Sequence, residues 1–248
     1  MRRVIAAVVV MSLPARAAPA QAPPVPHYSA TGWDAGWVST AGALYLLPGA
    51  LGLPHGVPSC ANGNPLPCDP ATLAGLDRWA VRPVSDAADV ASDVVLAGVA
   101  AWTALAGLRG LPAEQWRGDF AVFAETASWT AASTEWLKVA VRRKRPVLYT
   151  SGAIAAAADR ENQQSLPSMH TSLAFAAATS YVVISARQHL PHRARNALLL
   201  YAGAVVVAAL RVAAAQHFPT DVLAGAALGS GIGWLVPTIH PTRRDHRE

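Results

Sequence analysis

From Asp86 onward the chain runs in long blocks of Ala, Val and Leu, cut by short charged or Pro/Gly-containing breaks. Blocks of this length without period-two alternation predict helices, and five can be drawn, over residues 87–109, 118–141, 168–187, 195–213 and 220–238. No strand pattern or internal repeat competes with them, so the predicted fold class is all-α, a helical bundle of about five to six helices. Upstream, Trp37 to Leu53 forms another apolar patch, interrupted by Gly42, Pro48, Gly49 and Gly52, and reads as interfacial or packed against the core. Residues 18 to 35, rich in Ala and Pro, read as a flexible lead.

The apolar centres of the five helices are about 15 to 20 residues long, at the lower limit for crossing a bilayer. With 52% hydrophobic and only 14% charged residues, the chain is too apolar for an ordinary soluble domain. The expectation is therefore a membrane-embedded bundle, with a soluble periplasmic bundle as the alternative. If each helix crosses once, the end of the second, the start of the third, the end of the fourth and the start of the fifth share one face. The opposite face then carries the loops Arg109 to Arg117 and Arg187 to Arg195 and a basic tail at 241–248, as cytoplasmic loops do. Arg78, Arg82 and the run Arg142, Arg143, Lys144, Arg145 lie on the other face and count against that orientation, unless they serve an anionic substrate.

Two features decide the orientation in favour of an outward-facing site. Arg2 and Arg3, the apolar run Val4 to Leu13 and the small residues after it resemble an export signal over 1–20, with an uncleaved anchor as the alternative. Cys60 and Cys68, the only cysteines, predict a short disulfide loop within a periplasmic segment 21–85, since zinc wants about four ligands. The functional core is then 86–240, in an inner membrane with its site facing the periplasm. A cleaved signal needs an odd number of later spans to leave the tail inside; counting Trp37 to Leu53 as a sixth span needs the N-terminus inside. The net charge of +5 suits an anionic substrate or lipid surface and falls short of what nucleic acid binding requires.

Three separated stretches carry candidate chemistry. In the first, Lys138 and Arg142 share a helical face and Pro146 turns Arg145 out of helical geometry, so that fixed cations gather where a multiply charged anion would sit. In the second, Pro167, Ser168, Met169 and His170 open a helix whose free N–H groups and positive dipole end form a phosphate cradle. In the third, Arg211 is followed by His217, Pro219 and Asp221; the carboxylate can fix the imidazole tautomer and leave the other nitrogen free to attack. Taken singly, each stretch also reads as a basic flank, a capped helix or an incidental histidine.

The ordered spacing Lys-x6-Arg-Pro, Pro-Ser-x-His and Arg-x5-His-x3-Asp resembles the type 2 phosphatidic acid phosphatase superfamily, which includes bacterial acid phosphatases and vanadium haloperoxidases. The resemblance covers about residues 86–240. It implies that Lys138, Arg145 and Arg211 clamp phosphoryl oxygens with help from Ser168, that His217 attacks phosphorus with Asp221 behind it, and that His170 protonates the leaving oxygen. No metal and no cofactor is required. The implied reaction is hydrolysis of a phosphate monoester or pyrophosphate through a phosphohistidine, on a phosphorylated lipid or a small phosphate ester. Vanadate-dependent halide oxidation, phosphate transfer to another lipid and a catalytically weakened phospholipid-binding protein are the alternatives. Two departures stand out, because the family usually has glycine at Met169 and serine at Leu210. Elsewhere, Glu135 is expected to pair with Lys138, Asp86, Asp89 and Asp93 to form a polar packing seam, and Glu125 to serve a function if it lies at membrane depth. Tyr149 and Arg160 are within reach of a head group.

Overall fold

The structure, a computed structural model, describes residues 25–244 apart from 57, 61, 62, 110, 113 and 114. The expected export signal at 1–20 and the last residues of the basic tail lie outside that range. Six long helices follow one another: α1 (Gly32–Ala50), α2 (Asp86–Leu108), α3 (Trp116–Val141), α4 (Met169–Arg187), α5 (Arg193–Ala213) and α6 (Pro219–Ile239). The limits of α2 to α6 agree with the sequence expectation to within two residues. Local chemistry sets them: the Ser85 hydroxyl accepts from Ala88 N–H, Arg142 ends α3 in the left-handed region, and Pro219 occupies the first turn of α6.

The Trp37–Leu53 patch packs against the bundle, one of the two expectations for it, and up to Ala50 it forms part of a continuous helix, α1, lying along α3. Pro48 has no N–H to give the carbonyl of Leu44 one turn earlier, and the Trp136 indole N–H of α3 donates to that carbonyl instead, at 3.0 Å. Trp37 and Trp129 add a tilted ring contact, with centroids 6.2 Å apart. The lead is not free of structure either. Its strand β1 (Pro26–Tyr28) pairs antiparallel with β2 (Thr242–Arg244), so the two ends of the described chain meet.

Helix α4 runs through the middle of the bundle, and its inner face buries Ala174, Ala178, Tyr181 and Ile184. Its closest neighbour is α6, where Gly225, Gly229 and Gly233 form one stripe lying on Ser168, Ser172 and Ala176. Without side chains between them the backbones nearly touch; a Cβ at Gly229 would stand 2.0 Å from the Ser172 carbonyl oxygen. Gly229→Val is therefore expected to destabilise the detergent-solubilised protein by about 3 kcal/mol or more. Gly231→Val, whose Cβ would meet nothing within 4 Å, serves as the control and should melt like the parent. Equal melting of the two variants would refute this close packing.

The outer surface is apolar. Val90, Val94, Leu198, Leu199, Val205, Val206, Leu223 and Leu235 all point away from the bundle. Helices α2, α4, α5 and α6 are each long and apolar enough to cross a membrane. At ~1.5 Å per residue they match a hydrocarbon core of ~30 Å. Exposed Trp33, Trp37, Trp116 and Trp234 lie toward one end of the bundle, and Tyr45, Trp79 and Trp136 toward the other, as aromatic residues do at the two interfaces of a bilayer.

Candidate active site

Because the helices alternate in direction, the C-terminal ends of α1, α3 and α5 meet the N-terminal ends of α2, α4 and α6. At that end lies a cavity of about 570 Å³, lined by Lys138, Arg145, Met169, His170, Arg211 and His217 among others. Residues from all three separated stretches thus face one space, as helix parity predicts. The disulfide Cys60–Cys68 is formed and lies on the same side, with Cys68 N–H donating to the Leu148 carbonyl at 2.9 Å.

His217 sits in the tight connection between α5 and α6 and is almost fully buried. Its Nδ1 lies 2.7 Å from the Ser165 carbonyl oxygen, so that nitrogen carries the proton and Nε2 is left as the bare lone pair. Burial pushes the imidazole pKa down to about 3, assisted by the positive charges of Arg145 and Arg211 and opposed by Asp221. The ring is neutral, and therefore nucleophilic, throughout the physiological range.

Asp221 does not bind the imidazole directly as expected from its spacing. Its Oδ2 is 3.9 Å from Nδ1 and accepts instead from the Ser165 hydroxyl at 2.6 Å and from Phe218 N–H at 2.8 Å. Its other oxygen is paired with Arg143. Asp221 thus fixes the segment whose carbonyl holds His217, one step removed from the ring. Arg143 also reaches Asp77 Oδ2 at 2.7 Å, stands 4.6 Å over the Phe218 ring, and donates to Thr220. Asp77 in turn accepts from Thr220 N–H at 3.1 Å. Neither Arg143 nor Asp77 stands out in the sequence, where Arg143 is one of four consecutive cations.

The cation clamp is held by acids. Arg145 donates to Gln216 at 2.7 Å and to Glu161 at 3.2 Å, while Arg211 pairs with Asp89 and donates to Ser92 at 3.1 Å. His170 Nε2 lies 2.6 Å from Asp93 Oδ1. Asp89 and Asp93 are therefore part of the cavity wall, and the packing seam expected of them is corrected. Their signal in the sequence is only a spacing of four at the start of a helix. The ion pair expected between Glu135 and Lys138 does not form among the described residues; both line the cavity. Tyr149 packs edge-on against Phe218, with centroids 5.9 Å apart, behind the cavity.

The α4 cradle differs in detail from expectation. Ser168 N–H donates to the Asp221 carbonyl at 3.1 Å and its hydroxyl accepts from Thr171 at 3.1 Å, so Ser168 joins α4 to α6 behind the cavity wall. The N–H groups of Met169, His170 and Thr171 have no backbone partner among the described residues and remain for an anion. The Nε of both Arg145 and Arg211 is likewise buried without a partner among the described residues.

The sequence profile of the PAP2 superfamily matches residues 120–245. The chain belongs to the PAP2 superfamily. No curated protein and no solved structure matches it. Membership supports phosphatase chemistry on phosphate esters at the level of the family. The matched span begins in α3 and takes in all three PAP2 motif stretches. Helices α1 and α2 lie outside it, so Asp89 and Asp93 reach the PAP2 site from a part of the chain that the profile does not cover.

Proposed function

We propose that the chain is a membrane-embedded phosphatase that cleaves a lipid phosphate monoester or pyrophosphate through a phosphohistidine on His217. The observation that carries this reading is the buried, neutral His217, its Nδ1 proton held by Ser165, beside a cavity rimmed by Lys138, Arg145 and Arg211. His217 Nε2 attacks phosphorus, the new N–P bond forms as the ester P–O bond breaks, and His170 gives its proton to the departing oxygen. Water then attacks phosphorus, loses a proton to His170, and the P–N bond breaks to release phosphate and neutral His217. Fixed cations and helix N–H groups stabilise the charge spread over the phosphoryl oxygens, which is most of what phosphoryl transfer requires.

A lipid substrate is supported by the location of the cavity at one end of an apolar bundle, with the exposed Leu46 of α1 and Leu137 of α3 nearby. An outward-facing site is supported by the Cys60–Cys68 disulfide, which belongs in an oxidising compartment, on the cavity side. Six alternating helices then put residues 26–28 and 242–244 together on the inner side. The test is one preparation: membranes washed in alkaline carbonate should keep the chain and release phosphate from phosphatidic acid. Release of the chain into the wash would move the reading to a soluble phosphatase acting on small esters.

Met169 is the residue that limits this site. It lines the cavity at the first turn of α4, where its side chain competes for space with the anion that its own N–H would hold. Met169→Gly is expected to raise kcat/KM on phosphatidic acid by about tenfold, less than the ~10²–10³ that outright loss of one donor costs, because the Met169 N–H is still present. Lipid binding without turnover in both the parent and Met169→Gly would favour a binding protein instead.

A further inference from the structure

At the end of the bundle opposite the phosphate cavity, three buried ionisable side chains converge. Asp34 comes from the first turn of α1, Glu125 from α3, and His240 from the residue that ends α6. Their ligand atoms all lie within 4.8 Å of one another. Asp34 Oδ1 is 3.4 Å from His240 Nε2, and Glu125 Oε2 is 3.9 Å from the same nitrogen. All three residues are less than a tenth exposed, at 8%, 7% and 6%.

The electrostatics of this cluster are unbalanced. Two buried carboxylates face each other, and among the described residues no Arg or Lys makes an ion pair with either. His240 Nδ1 lies 3.2 Å from the Pro241 carbonyl oxygen; in the tautomer that donates this bond, Nε2 presents a lone pair to the carboxylates. Glu125 Oε1 and His240 Nε2 are both buried and without a hydrogen-bond partner among the described residues. Lone pairs and carboxylate oxygens so arranged repel one another unless a cation or a shared proton sits between them.

We propose that Asp34, Glu125 and His240 hold a divalent transition-metal ion, with zinc as the best fit, at the face opposite the phosphatase site. One imidazole nitrogen and two carboxylates are a borderline donor set suited to zinc, supplying three of its four positions and leaving the fourth to water. Two ligands at ~2.1 Å from a tetrahedral ion stand ~3.4 Å apart. The Asp34–His240 separation already has that value, and Glu125, at 3.9 Å from the same nitrogen, stands ~0.5 Å beyond it. Magnesium and calcium are disfavoured, since they take six or more oxygens and the cluster offers only two carboxylates beside the imidazole. Supporting contacts fix the ligands: Thr31 N–H donates to Asp34 Oδ2 at 2.5 Å, and the Tyr28 ring packs edge-on against His240 at 5.7 Å. The metal would tie α1, α3 and the end of α6 together beside the β1–β2 pair, which makes it a structural clip with no part in the phosphoryl step.

The test uses the full chain, purified in detergent without a polyhistidine tag, equilibrated with zinc chloride and passed into metal-free buffer. Elemental analysis should find about one zinc per chain in the parent and in His217→Ala. Glu125→Gln and His240→Gln should each lower zinc affinity by roughly tenfold or more. Chelation should lower the melting temperature of the parent and leave that of Glu125→Gln unchanged. A parent chain that retains no zinc overturns the proposal whatever the variants do. So does a zinc content or a chelator response equal in the parent and Glu125→Gln.

Discussion

His217→Ala is expected to lower kcat/KM for phosphatidic acid by at least about 10⁴-fold, with the fold intact. The size follows from the role. The imidazole forms the covalent bond to phosphorus, and the alanine side chain offers no replacement nucleophile, so the residual rate is what charge stabilisation by Lys138, Arg145 and Arg211 gives to direct attack by water. The clamp is untouched by the substitution, so inorganic phosphate or vanadate should still bind with affinity close to that of the parent. A substrate labelled on phosphorus and quenched during turnover should leave label on the parent protein, stable in alkali and lost in acid, and none on His217→Ala. Because the pKa of His217 is about 3, its protonation should impose no acidic limb on kcat/KM above about pH 4. Retention of activity to within tenfold of the parent would remove His217 from the mechanism.

How much of this was legible in the sequence differs between backbone and side chains. Helices α2 to α6 were readable because each is a long apolar block ended by a cap, a proline or a charge, and those signals are local. Helix α1 was not, because Gly42 and Pro48 break the local pattern and its continuity depends on Trp136 of α3 supplying the hydrogen bond that Pro48 lacks. The same division runs through the site. Lys138, Arg145, His170, Arg211 and His217 carry motif spacing, and helix alternation brings them to one face. Asp89, Asp93, Asp77 and Arg143 acquire their meaning from partners on other elements, so no spacing announces them. Asp221 shows the limit of spacing itself. Four residues suggest a direct contact with His217, but the turn at Phe218 directs the carboxylate to Ser165 and Arg143.

The largest effect on stability is expected from one of those illegible residues. Arg143 bridges Asp77 and Asp221, which are 1% and 0% exposed, and no other Arg or Lys among the described residues makes an ion pair with either. Arg143→Met keeps much of the aliphatic stem against Phe218 but leaves two buried carboxylates without a cation, a loss of about 3–5 kcal/mol. Activity should fall with it, because Asp221 and Ser165 would no longer be held where they fix the His217 ring. Arg143→Lys should recover only part of the loss, since a single ammonium cannot match the forked geometry that serves two carboxylates at once. Denaturant or thermal unfolding in detergent measures the first effect, and kcat/KM the second. The combination of Arg143→Met with Asp77→Asn separates charge from packing. If uncompensated charge is the cause, removing one carboxylate should return part of the lost stability even though a second native residue has been replaced. If the double variant is less stable than Arg143→Met alone, the network acts through shape and hydrogen bonding, and the assignment of Arg143 as its electrostatic centre fails.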